Sequence, residues 1–186
     1  FENIGFRFYL SSEFRQQWSI FQLDDVVALR FDDVDISVIP AVADNRYIQI
    51  AVFDYVTRPM INNEGEGEEI ATVREAATLN LTNCIIRGPV NFLRATPSKQ
   101  IKATWRNGLF ASSDWFLQLP SIITTTAVPA QQFNTIDSPI SLTVELQQLV
   151  VSATPGILRV YNDTVGATRG LPPVVDFTMT NSIFVP

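Results

Sequence analysis

The chain contains no histidine, a single cysteine and only two methionines among its 186 residues. Without imidazole the commonest general base, the usual zinc ligand and every triad built on histidine are excluded. One cysteine, Cys84, excludes an intrachain disulfide framework. Its setting, Asn83-Cys84-Ile85-Ile86, is that of an inert apolar residue inside a strand. Charge is scarce as well: 17% of residues are charged against 46% hydrophobic. No apolar run reaches the roughly eighteen residues that a membrane helix requires, and no signal peptide pattern is seen. A Gly-rich phosphate loop and a Gly-x-Ser-x-Gly elbow are both absent. The chain is therefore expected not to be an enzyme, with no catalytic residue, no cofactor, no resident metal and no membrane contact.

What is present is strand-forming sequence. Val34, Ile36 and Val38 alternate with Asp33, Asp35 and Ser37 up to Pro40, the period-two mark of a strand with one buried face. Leu142, Val144 and Leu146 alternate with Thr143, Glu145 and Gln147 in the same way. Further strands are expected at Phe6–Leu10, Tyr47–Tyr55, Leu79–Ile86, around Phe92, and at Ile101–Trp105 and Trp115–Leu119. Ile122–Val128, Ile157–Tyr161 and Val174–Val185 complete the set. Proline-bearing turns recur between them, as at Gly88-Pro89, Ser138-Pro139 and Thr154-Pro155-Gly156. Phe14, Trp18 and Phe21, after a Ser11-Ser12-Glu13 start, have the spacing of one face of a short helix. A second short helix is expected over Ile70–Ala77. No internal repeat and no linker is seen, so residues 1–186 are read as one domain. Short strands with regular turns point to an all-β sandwich or barrel.

Charge is unevenly distributed. The chain is net −6, yet between Glu75 and Asp114 it has no acidic residue and carries Arg87, Arg94, Lys99, Lys102 and Arg106. These cations, interleaved with Phe92 and Trp105, are candidates to face nucleic acid. The alternative is that they pair with acids of the Asp24–Asp35 and Glu64–Glu69 regions, within one subunit or across a contact. The same acids, at close spacing, offer hard oxygens to calcium, although an EF-hand pattern is absent. As an enzyme's carboxylate pair they are better explained as a wet strand face and a solvated loop. Arginine outnumbers lysine eleven to two, a bias that suits contact surfaces more than free solvent. Two Asn-x-Ser/Thr patterns, at Asn80 and Asn162, are short enough to occur by chance.

Three segments together resemble a family. Asp24-Asp25-Val26, then Phe31-Asp32-Asp33-Val34-Asp35-Ile36-Ser37-Val38-Ile39-Pro40, is similar to the early strand of single jelly-roll coat proteins of small icosahedral viruses. Phe14–Leu23 would be its helical lead-in. Ile48-Gln49-Ile50-Ala51-Val52-Phe53-Asp54-Tyr55 resembles the next strand of circovirus-like single-stranded DNA viruses. Ala103-Thr104-Trp105-Arg106 and Asp114-Trp115-Phe116-Leu117 stand where such proteins, like those of small plant and satellite viruses, carry tryptophans.

The resemblance implies an antiparallel jelly-roll sandwich with one or two short helices. It implies a virion shell subunit, made in a host cell, that assembles with many copies of itself into an icosahedral capsid around a packaged genome. Phe14, Trp18, Trp105 and Trp115 would lie at subunit interfaces. Arg87, Arg94, Lys99, Lys102 and Arg106 would face nucleic acid, held mainly by a basic arm preceding Phe1. The chain begins without methionine and ends at Pro186, so both ends read as cut. The alternative function is a β-sandwich carbohydrate-binding or adhesin-like module, with Trp105 and Trp115 as a stacking platform.

Overall fold

The computed structural model describes residues 1–11, 17–24, 26–41, 49–56, 76–95, 100–123, 141–162, 170–171 and 173–185. Its strands alternate between two sheets. The first contains β1 (Glu2–Leu10), β3 (Ala28–Pro40), β5 (Ala77–Arg87), β7 (Gln100–Ser112), β9 (Ser141–Ala153) and β12 (Val174–Thr180), in that order, with β13 (Ile183–Val185) also on β9. The second runs β10 (Leu158–Asn162), β8 (Leu117–Ile123), β6 (Asn91–Ala95), β4 (Ile50–Val56) and β2 (Trp18–Asp24). Every pairing in these two sheets is parallel; only the two-residue β11 (Gly170–Leu171) runs antiparallel, against β8. The chain lays one strand in each sheet per turn and advances one rung, about 4.8 Å. This is a parallel β-solenoid, in which each coil contacts its neighbours and contributes one layer of core.

Stacked coils place like residues above one another. Phe31, Leu81, Trp105, Leu146 and Met179 form one inward column of the first sheet, and Ile36, Ile86, Phe110, Val151 and Phe184 another. Rings touch through much of the interior: Phe21 on Phe31 and Phe53, Phe53 on Phe92, Phe92 on Trp105 and Phe116, and Phe116 on Phe177. Such pairs add about 0.5–1.5 kcal/mol each beyond area burial. Ile50, Ala51, Val52 and Phe53 of β4 are all buried, the continuous apolar run of a parallel strand covered on both faces.

The long strands bend at one rung. Asn3, Asp33, Asn83, Asn107, Gln148 and Asn181 stand in register and all have φ between +50° and +55°. Left-handed backbone is disfavoured for L-residues, and Asn and Asp tolerate it best. Asn107 Nδ2 donates to Asn83 Oδ1 at 2.7 Å, so the amides also bond along the column. The bend resets the alternation. Leu29 and Phe31 face the core before it, Val34, Ile36 and Val38 after it, and Asp32 and Asp33 both lie outside.

Several expectations are corrected. The antiparallel jelly roll is not formed. Alternation and turn residues describe a strand with one buried face equally well in either direction, and strand direction is set by pairing with the strand two along. No helix occurs among the described residues. The spacing of Trp18 and Phe21 fitted a helix, yet both lie in β2, extended by its ladder to β4. Ala77 opens β5; residues 70–75, the rest of the second expected helix, lie outside the described residues. The chain does repeat: each coil carries an apolar-x-apolar-x-Asn-like-apolar-x-apolar pattern. Its spacing, 24 residues from Asn83 to Asn107 but 50 from Asp33 to Asn83, has no fixed period.

Candidate functional site

The tryptophans expected at interfaces take three different places. Trp105, on β7, is fully buried in the protein's own core. A Cβ on Gly108 would lie 2.2 Å from the Cys84 carbonyl oxygen and 2.6 Å from Trp105 Nε1, so this rung closes around the indole only with glycine. Trp115, partly buried before β8, covers Gly156, whose φ of +139° suits glycine. Trp18, on β2, packs edge-on against Phe8 at 5.3 Å in the first coil. Phe14 lies outside the described residues. Trp105 and Trp115 therefore form no joint platform, and Trp18 alone of the described three stands at an end of the stack.

Three of the four described candidate cations are paired across rungs. Arg94 bonds Asp54 at 2.5 Å on the neighbouring strand, and both side chains are nearly buried. Arg87 reaches Asp35 at 2.5 Å and Ser37 Oγ at 2.9 Å. Lys102 bonds Glu145 at 2.8 Å on the next coil, half-exposed. Arg106 is exposed and has no ion pair among the described residues; Lys99 lies outside them. The pairing alternative describes these contacts, with partners Asp35, Asp54 and Glu145. Only Asp35 belongs to the acidic regions considered beforehand.

The acids show no shared centre. Asp32 holds Arg30 at 2.6 Å, and Asp35 also accepts from Ser37. Among the described residues no group of three acidic or cysteine side chains is placed to hold a metal ion. The Asp24 side chain, Asp25 and Glu64–Glu69 lie outside them. Cys84 is buried and donates to the Thr82 carbonyl at 3.2 Å; burial pushes its thiol pKa up, the opposite of an activated nucleophile. Asp114, which sequence reading did not single out, accepts from Asn91 Nδ2 at 3.0 Å and from the Trp115 amide at 2.8 Å. Desolvation raises its carboxyl pKa, opposed by the Trp115 bond and Arg159.

The ends of the stack are where apolar surface opens. Leu158 and Val160 are 37% and 46% exposed, whereas Leu117 and Leu119, their partners one rung inward, are fully buried. Ile4 is 39% exposed and its partner Val34 only 2%. Phe1 stacks on Phe31 with its outer face uncovered. Asn3 and Asn181, the last described rungs of the bend column, keep the backbone of the interior rungs, with φ of 52° and 50°. Among the described residues no strand pairs with the outer edges of β1 and β2 at one end or of β10 and β12 at the other. The signal was present in sequence only as the Asn-like position, readable once the bend is known. Compared with protein-family models, with curated proteins and with solved structures, the chain matches none of them.

Proposed function

We propose that the protein is a non-enzymatic structural module that works by assembling with copies of itself, end to end, through its open coils. The observation that carries this reading is the equivalence of terminal and interior rungs: Asn3 and Asn181 hold the same left-handed conformation, and apolar side chains buried inside are exposed at the ends. Where the terminal edge of a solenoid is unpaired it exposes core and strand edge together, and another coil in register covers them; here β12 would meet β1 of the next copy. Contact of one end with the other is heterologous, so it propagates along an axis. The icosahedral shell is implied by the resemblance of three segments, which implies an antiparallel jelly roll as well; the parallel pairing overturns the jelly roll, and assembly with copies does not depend on it. Packaged nucleic acid gains no support from the four described candidate cations, three of which are paired.

Sedimentation of the full chain over a range of concentrations, with electron microscopy of the same samples, tests the proposal. Linear particles built from 20.8 kDa units are expected. Ile4→Lys, a charge on the terminal rung of β1 that would meet β12 of the next copy, should return the protein to monomer. A monomer at all concentrations contradicts the proposal.

A further inference from the structure

A cleft of about 430 Å³ lies on the outer side of the first sheet, lined by Arg7, Ser37, Ile39, Pro40, Arg87 and Gly88. Arg7, Ser37 and Arg87 come from consecutive rungs and share one outward column. The two arginine Cα atoms are therefore about 9.6 Å apart, two strand spacings, with Ser37 between them. Arg87 is held on Asp35 and Ser37 Oγ. Arg7 is exposed and makes no ion pair among the described residues. Among the described residues, the two lining arginines and the Asp35 bonded to one of them leave one positive charge at the cleft. Ile39, 41% exposed, and Pro40 give the remaining wall an apolar character. Gly88, at φ +120°, lies so close to β3 that a Cβ would fall 2.2 Å from the Val38 carbonyl oxygen. The rung next to Arg87 is thus fixed against β3, and Arg87 is locked beside Ser37.

We propose that this cleft binds a small carboxylate with an apolar body, the carboxylate on the Arg7 guanidinium and the body against Ile39 and Pro40. Arg87 already shows the geometry: its guanidinium holds the Asp35 carboxylate in this column. A guanidinium fork matches a carboxylate in two parallel bonds. A monoanion balances the single uncompensated charge, whereas a phosphate dianion overshoots it.

Amide chemical shifts of the isotope-labelled protein, titrated with hexanoate, hexanol and inorganic phosphate, test the site. Hexanoate should shift the Arg7, Ser37 and Gly88 amides saturably, and hexanol should not. Arg7→Gln, at an exposed position, should weaken hexanoate about tenfold, and Arg106→Gln should leave it unchanged. Raised salt should weaken binding, as for an exposed ion pair. Absence of saturation, or affinity unchanged in Arg7→Gln, overturns the site. Tighter phosphate binding overturns the carboxylate assignment. The monomeric Ile4→Lys variant should bind equally, which separates this site from assembly.

Discussion

Arg94 and Asp54 occupy adjacent strands of the second sheet, and neither side chain has more than 11% of its surface in water. Removing one partner of such a pair strands the other charge in a low-dielectric interior. Arg94→Ala should therefore cost about 3–5 kcal/mol in chemical denaturation. Arg94→Met with Asp54→Leu should recover most of that loss, because the uncompensated charge is gone. Asp114 behaves differently. Its carboxyl pKa is raised in the folded protein, chiefly by desolvation. The folded state therefore holds this proton more tightly than the unfolded chain. The resulting stabilisation is complete below the unfolded carboxylate range and is lost as pH rises through the folded value. Melting temperature should show a falling component across that window. Asp114→Asn should remove this component, and an unchanged pH profile in the variant would refute the assignment.

Within each element, the bend column sets the pattern of the long strands. Asn107 holds φ +53° and bonds Asn83; a β-branched residue is strained there, so Asn107→Val should cost about 1–2 kcal/mol. Gln148 holds the same conformation with a side chain less suited to it. Gln148→Asn should stabilise by about 0.5–1 kcal/mol, measured by denaturant midpoint. This column also explains what was legible in the sequence. Strand positions were readable because period two survives on either side of the bend: Val34, Ile36 and Val38 were recognised in β3, and Leu142, Val144 and Leu146 in β9. The opposite parity of Leu29 and Phe31 hid the fact that β3 is one bent strand. Direction was not readable, since an inward-outward pattern has no polarity. Trp105 was conspicuous among cations, but its indole points to the core while Lys102 and Arg106 point outward. Arg7 lay far in sequence from Ser37 and Arg87, and only rung stacking places them together.

At the scale of the whole molecule, one strand per sheet per turn makes the core a column of layers. A layer inside the column is covered on both sides, and a layer at the end on one side only. That difference accounts for the exposure of Ile4 beside buried Val34, and of Val160 beside buried Leu119. In the proposed assembly the bend at Asn181 would continue onto the bend at Asn3 of the next copy, while β10 would stand two rungs from that copy's β2, because the first sheet has six rungs and the second five. In that register Ile183 of one copy neighbours Gly5 of the next, because both occupy the column of Asp35 and Val150. Their Cα atoms would be about 4.8 Å apart, inside the range a disulfide bridges. The protein's own Cys84 is buried and does not compete. The most direct test is to mix Gly5→Cys with Ile183→Cys, oxidise gently, and separate the products under denaturing conditions. End-to-end assembly predicts a covalent dimer containing one of each variant, formed far faster than either homodimer. Failure to form it, at concentrations where the unmodified protein is shown to assemble, would contradict the stacking of ends.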